Sequence, residues 1–206
     1  MQNGQLNIMG KKTISLIVAT DRTGIIAKNG EIPWHCSGDF RYFREKTLGK
    51  PVIMGKTTYD TIGFPLDGRN IIVLDADYDG YTSLCLHDDS KPYHTFNTID
   101  KALWFAETLP GNEIMIAGGR SVYEHFIKFR IADKIFLNII HADVKSKDDD
   151  NIMYFPFFNE VVYDLIDWRT IDYDGKRKDY IRWYCPESKG HDEFDSMIFY
   201  HDRVTE

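Results

Sequence analysis

No apolar run in this 206-residue sequence is long enough to cross a bilayer; the longest, such as residues 14–19, are strand-sized. Basic charge is in short supply: 25 Lys and Arg stand against 32 Asp and Glu, a net charge of −7, which disfavours a surface built to grip nucleic acid or an anionic membrane. Cysteine is scarce as well. Cys36, Cys85 and Cys185 are odd in number, widely spaced and in no CxxC arrangement, so neither a disulfide framework nor a zinc site is supported and a reducing cytosol is expected. The histidines form no HxxxH pair, and no GxSxG, P-loop or paired-carboxylate signature is present, so no metal is expected. The opening MQNGQLNIMGKKT is polar and has no leader-like apolar core. These absences predict a soluble, cytoplasmic protein whose partners are small molecules, with no nucleic acid and no membrane among them.

What is present is an alternation. Residues 14–19, 52–54, 71–74, 114–117 and 135–140 are nearly continuous apolar runs, the pattern of strands covered on both faces in a mainly parallel sheet. Helical patterns fall between them at 37–47, 57–62, 99–108 and 121–129, with Ser37 and Thr98 as N-caps. The fold class is therefore α/β, a central sheet with flanking helices. After Asp143 the texture changes. KSKDDDN is a charge-dense loop, and residues 161–174 and 178–184 read as the strands of an antiparallel C-terminal hairpin around Asp174-Gly175. The length suits one domain over residues 12–185 with an extension over 186–206 that is either one further strand or a tail.

The chemistry concentrates in KPVIMGKTTYDTIGFPLDGRN, residues 50–70. An apolar strand runs into Gly55, then a short helix, then a proline and glycine turn with Arg69, and such a strand-to-helix edge suits a phosphate-bearing cofactor. Upstream, SGDFRYF begins a helix in which Asp39 and Phe43 project to one face, placing a carboxylate and an aromatic ring on one wall of a pocket. Taken alone, an Asp in a first helical turn serves the helix dipole, and Phe40 and Phe43 are ordinary core residues. Downstream, Ala117-Gly118-Gly119 lies within IMIAGGRSVYEHF, a second glycine-led helix start. Ile32-Pro33-Trp34, Asp39 with Phe43, the 50–70 block and IMIAGGRSVYEHF, in this order and spacing, resemble dihydrofolate reductase over residues 14 to 158.

The resemblance implies NADPH as hydride donor and dihydrofolate as substrate, with hydride delivered to pterin C6 and a proton to N5 through water. Asp39 matches the family's active-site acid, which binds the pterin amino group and ring nitrogen, and burial is expected to raise its pKa. Trp34 would close the pterin side, and Tyr123 would lie near pterin and nicotinamide. Ile17, Val18, Phe40, Phe43, Ile62 and Leu66 would line the folate, and Arg69 would pair its glutamate α-carboxylate, for which a planar fork is suited. For the cofactor the matching positions are Ala19, Ile26, Ile32, Gly55, Lys56, Thr57, Thr58, Leu74, Asp75, Gly118, Gly119, Arg120, Ser121 and Val122. Two helix starts would offer backbone N–H groups to the pyrophosphate. The family's Gly-Gly bond is cis, and the same is expected at Gly118–Gly119. Residues 23–36, with the Asn29-Gly30 turn, match a mobile loop over the nicotinamide. A monomer is the default for this plan.

The pattern departs in two places. Asp75 stands where the family usually has a small hydroxyl residue near the NADPH 2′-phosphate. A carboxylate repels a phosphate and can accept from a ribose hydroxyl instead, so NADH use is conceivable, while Lys56 pulls towards NADPH. Asn138 stands where threonine commonly bonds the catalytic carboxylate, and an amide carries both donor and acceptor for that contact. Two competing readings remain: a non-catalytic folate- or nucleotide-binding protein on the same fold, and a related pyrimidine reductase of riboflavin synthesis.

Overall fold

A computed structural model describes residues 11–62, 66–79, 83–85, 93–140, 142, 144, 147, 150–157, 163–173 and 177–186. In chain order the elements are β1 (Thr13–Thr20), β2 (Ile25–Lys28), α1 (Ser37–Thr47), β3 (Pro51–Gly55), α2 (Lys56–Ile62), β4 (Asn70–Leu74), β5 (Ser83–Cys85) and β6 (Tyr93–Phe96). They continue as α3 (Ile99–Thr108), β7 (Glu113–Ile116), α4 (Arg120–Lys128), β8 (Lys134–Ile139), β9 (Ile152–Tyr154), β10 (Tyr163–Tyr173) and β11 (Arg177–Pro186).

One nine-stranded sheet runs β10-β11-β8-β1-β7-β3-β4-β6-β5. Its centre, from β8 to β6, is parallel throughout, and the antiparallel pairs are confined to β11 on β8, β10 on β11 and β5 on β6. The apolar runs read as fully covered strands are these parallel ones, because helices pack on both faces. Along β1, Ile14, Leu16 and Val18 enter one cluster with Ile53, Ile72, Ile116, Ala102 and Phe126, while Ile17 enters the other with Val52, Met54, Tyr42 and Phe136. Period-two alternation thus persists inside a run that is apolar at every position.

The expected elements are found at or within a few residues of their predicted bounds, and the C-terminal hairpin pairs Tyr163 with Pro186 at one end and Tyr173 with Arg177 at the other. Its Asp174-Gly175 turn, and residues 187–206, lie outside the described residues. Three differences stand out. Ser37 is the first residue of α1 rather than its cap: the preceding Cys36 has extended backbone, and its Sγ accepts from the Asp39 N–H at 3.4 Å. Thr98 does cap α3, accepting from Lys101 N–H at 3.4 Å. Residues 23–36, expected as a loop, contain β2, which pairs antiparallel with β9 in a separate two-stranded sheet. Finally, Lys12 is buried, and its ammonium donates to Ala106 O at 2.8 Å and to Leu109 O at the C-terminal end of α3, where carbonyls lack partners and a cation is favoured.

Candidate active site

The carboxyl ends of the parallel strands, where open α/β sheets place their ligands, gather most of the predicted site. β8 pairs with β1 so that Asn138 lies opposite Ala19. From there the Asn138 Nδ2 donates to Asp39 Oδ1 at 2.6 Å, joining β8 to the first turn of α1. Asn138 is only 2% exposed, and its Oδ1 is buried without a hydrogen-bond partner, as is Trp34 Nε1. A buried acceptor and a buried donor left open are costly in a finished core, and they fit a site completed by a polar ligand.

Tyr123, on α4, is buried, and its hydroxyl donates to Ile17 O at 2.7 Å. Burial, with the nearby Asp39 charge, pushes its pKa far above the ordinary phenol value. The hydroxyl is therefore a fixed neutral donor to β1, and its ring meets Phe155 edge-on at 5.2 Å.

The two sheet faces sort the remaining apolar residues. Ile17 and Leu66 are buried in one cluster, with Phe43 and Ile62 packed against it, so four residues assigned to folate share a wall. Val122 is buried in the other cluster, with Ile26 and Leu74 packed on it, so three residues assigned to the cofactor lie together. Val18 sits apart from Ile17. Its side chain belongs to the cluster that holds Val122, because strand alternation turns it away from Ile17. Phe40 is half-buried and packs against His35 at 5.5 Å, while Ile32 is 45% exposed.

Arg69 is held by its own neighbourhood: Nε donates to Leu66 O at 3.1 Å, Nη1 reaches Thr47 Oγ1 at 3.4 Å, and the guanidinium lies 5.9 Å from the Phe43 ring centre. Partial burial, and then the charge of Arg44, lower its pKa from the usual arginine value, outweighing the effect of Asp67.

At the start of α4 the Gly118–Gly119 bond is cis, as expected. Gly55 N–H donates to Gly118 O at 2.8 Å, and a Cβ added at Gly119 would come within 3.0 Å of Thr58 Oγ1. The beginnings of α2 and α4 therefore abut. Gly119 is the α4 cap and supplies no side-chain bond, leaving the first N–H groups of that helix, with Arg120 and Ser121 exposed beside them, open to an anion. Thr57 is exposed at the start of α2. Lys56, expected to meet a phosphate, is ion-paired with Asp60 one helical turn on, and its pKa is raised mainly by that hydrogen bond, with further contributions from Tyr93 and Asp75. Asp75 lies at the end of β4, where its carboxylate accepts from Asp77 N–H at 3.1 Å.

Sequence reasoning missed the framework of residues 21–31. The buried Asp21 carboxylate accepts from Thr23 N–H at 2.9 Å and Ile25 N–H at 2.8 Å, knotting the exit of β1. Asn29 and Gly30 both have positive φ and close a tight turn in which Lys28 and Glu31 exchange backbone hydrogen bonds. Asn29 N–H donates to Asn151 O, and Asn151 N–H to Asn29 Oδ1, each at 2.8 Å; on the other side, Thr61 Oγ1 donates to Gly30 O at 3.2 Å. The Asn29-Gly30 signal was legible, whereas nothing in the spacing marks Asp21 or Asn151.

The family model for dihydrofolate reductase matches residues 13–184. The chain belongs to the dihydrofolate reductase family. The family is one of NADPH-dependent oxidoreductases, and membership sets aside both competing readings as the main account. Among curated relatives, dihydrofolate reductase of Haemophilus influenzae is 33% identical over 147 residues, covering 71% of this chain and 81% of that protein. Dihydrofolate reductase type 3 of Salmonella typhimurium is 34% identical, covering 65% of this chain and 75% of that one. The solved structure of Enterococcus faecalis dihydrofolate reductase complexed with NADP(H) and RAB-propyl shares the fold, with a TM-score of 0.68 at 23% identity over 85% of this chain and 96% of that one. Among the described residues of this reductase, no helix is long and apolar enough to cross a membrane, and no cluster of His, Cys, Asp and Glu could hold a metal ion.

Proposed function

We propose that this chain reduces 7,8-dihydrofolate to 5,6,7,8-tetrahydrofolate with NADPH, supplying one-carbon and thymidylate metabolism, as a cytoplasmic monomer. The observation that carries the reading is the Asn138 amide on Asp39 with its own carbonyl oxygen buried and open. Asp39 and Asn138 together offer acceptors to the amino and ring N–H groups of a pterin. The glycines at 55, 118 and 119 and the uncapped start of α4 suit close approach of a pyrophosphate, so the residues fit the dinucleotide.

Bound NADPH supplies the hydride to pterin C6. The protein's part is orientation and polarity. Asp39 anchors the amidine edge of the ring, and Trp34 Nε1 offers a donor for a water that serves N5. Tyr123 stays neutral and braces β1 at Ile17. Phe43, Ile62 and Leu66 exclude water along the aminobenzoyl group, and Arg69 takes the glutamate α-carboxylate.

The test is the loss of NADPH absorbance with dihydrofolate, run beside NADH and beside Asp39→Asn. Turnover that collapses in the variant, with NADPH binding and melting temperature retained, is expected. Ligand binding without turnover in the unaltered protein would transfer the reading to a non-catalytic folate- or nucleotide-binding protein.

A further inference from the structure

His94 carries a buried Nδ1 with no hydrogen-bond partner among the described residues, and no step of the proposed reaction uses it. It lies on β6, in register between Ile72 of β4 and Leu84 of β5. Its ring rests on Phe105 of α3 with centres 4.3 Å apart, and the same Phe105 ring meets Phe96 at 5.2 Å. His94 and Phe96 are two residues apart on one strand and share a face, so Phe105 seats α3 on both. Phe96 in turn pairs with Leu74, and its carbonyl oxygen accepts from Asp75 N–H at 3.0 Å. The histidine is thereby linked through packed rings to the strand end that holds Leu74 and Asp75, two of the positions matched to the cofactor.

A neutral imidazole can keep its proton on Nε2 and leave Nδ1 a bare acceptor, whereas an imidazolium carries N–H on both nitrogens. Among the described residues the second N–H would meet no acceptor, at the full cost of a buried unsatisfied donor. Burial lowers the His94 pKa from the usual histidine value, and no neighbouring charge contributes. Of the titratable groups on the elements around it, Tyr93 belongs to the cluster on the opposite face, and Cys85 is paired in register with Tyr93. Asp75 accepts from Asp77 N–H at 3.1 Å, Lys101 donates to Asn97 Oδ1 at 3.0 Å, and Glu107 accepts from Lys12 N–H at 3.4 Å. Asp100 is exposed in the first turn of α3. We infer that His94 is an acid-sensitive pin for α3: neutral, it seats Phe105 and holds the β4–β6 edge in the form that takes NADPH, and protonated, it unseats Phe105 and weakens cofactor binding. This rests on NADPH as the cofactor.

The experiment measures the Kd of NADPH from about pH 8 to about pH 5.5 for the unaltered protein, His94→Phe and His94→Gln, with melting temperatures at each pH. The His94 ring protons of the unaltered protein are followed by NMR over the same range, with and without NADPH. Neither variant has the titrating ring, and titration of the 2′-phosphate, common to all three proteins, cancels in the ratio of their Kd values. Across this range the Kd of the unaltered protein should rise about two- to fivefold more than that of either variant, within the roughly tenfold ceiling for one group of ordinary pKa about 6.5. The folded pKa lies below the unfolded one, so the unfolded chain takes up the proton first. The melting temperature of the unaltered protein should therefore fall relative to His94→Phe as pH drops below about 6.5. His94 should titrate below about 6.5, and lower again with NADPH bound, because the coupling is reciprocal. An identical pH dependence of Kd in all three proteins, or a His94 titration that NADPH leaves unmoved, overturns the pin and leaves the reductase reading intact. Failure of the unaltered protein to bind NADPH at about pH 8 overturns the cofactor reading and the pin with it.

Discussion

Asn138 donates its amide N–H to Asp39 Oδ1 across 2.6 Å, and its own Oδ1 remains buried and unpartnered. A hydroxyl at this position could turn to donate or accept, but an amide presents one of each in fixed directions. On the proposed reading, a pterin bringing N–H groups to both Asp39 and Asn138 would complete the pair. Asn138→Leu should lower kcat/KM for dihydrofolate by about ten- to a hundredfold, or about 1.5–3 kcal/mol for a lost hydrogen bond to a charged group. Asn138→Thr should stay within about tenfold of the unaltered protein, because a donor is kept. Steady-state kinetics of the two variants decide it, and a Leu variant with unchanged kcat/KM removes the pair from the mechanism.

Asp150 collects three donors: Lys28 Nζ at 2.8 Å, Asn29 Nδ2 at 3.0 Å and Lys147 N–H at 2.6 Å. The Lys28 hydrogen bond first, then those from Lys147 and Asn29, hold its pKa at about 2. Its folded pKa lies below the unfolded one, so its contribution to stability is present above ordinary carboxylate pKa values and is lost as pH falls towards 2. Asp150→Asn should lower the melting temperature slightly by a constant amount from about pH 8 to about pH 5, with the gap narrowing below about pH 4. Added salt should shrink the gap at every pH, because exposed charges are screened. A gap that widens in acid would contradict the assignment.

The parallel strands were legible because burial on both faces leaves an unbroken apolar run, as in residues 52–54. The same continuity conceals which way each side chain turns: Ile17 and Val18 adjoin in the run but enter opposite clusters. β2 and β9 have little local signal: they exist because Ala27 pairs with Met153 and Lys28 with Ile152 across a long stretch of chain. Ser37 outranks cysteine as a cap by chemistry, but backbone conformation placed Cys36 at the cap position. Asp39, Asn138 and Gly118-Gly119 came from motif order, whereas the Lys56–Asp60 pair was available from i,i+4 spacing and went unread.

Lys56 already donates to Asp60, so a 2′-phosphate there would share its ammonium with that carboxylate, and Asp75 adds a second carboxylate to its surroundings. Cofactor choice should therefore be less biased towards NADPH than a free lysine would make it. Asp75→Ser and Asp60→Ala should each raise the ratio of kcat/KM for NADPH over NADH by about three- to tenfold, the range for one partly screened charge contact. An unchanged ratio in Asp75→Ser would mean that its carboxylate, bonded to Asp77 N–H, stays clear of the adenosine ribose.

Gly118 is the position at which backbone, Tyr123 and β1 converge. Its φ of +101° disfavours any side chain, and an added Cβ would sit 3.2 Å from Tyr123 Cε2 and hydroxyl oxygen and 3.3 Å from Cζ. The ring cannot easily retreat, since its hydroxyl is bonded to Ile17 O at 2.7 Å and its edge meets Phe155. Gly49 separates the two costs: its φ is +74° with nothing within 4 Å of an added Cβ. Gly49→Ala should cost about 1 kcal/mol from backbone conformation alone, whereas Gly118→Ala should cost about 2–4 kcal/mol once overpacking is added. Gly118→Ala should also weaken NADPH binding, because displacing Tyr123 disturbs β1 and the start of α4 together. Denaturant melts and NADPH titrations of the two variants measure this directly, and equal destabilisation would show that Tyr123 yields freely to a methyl group.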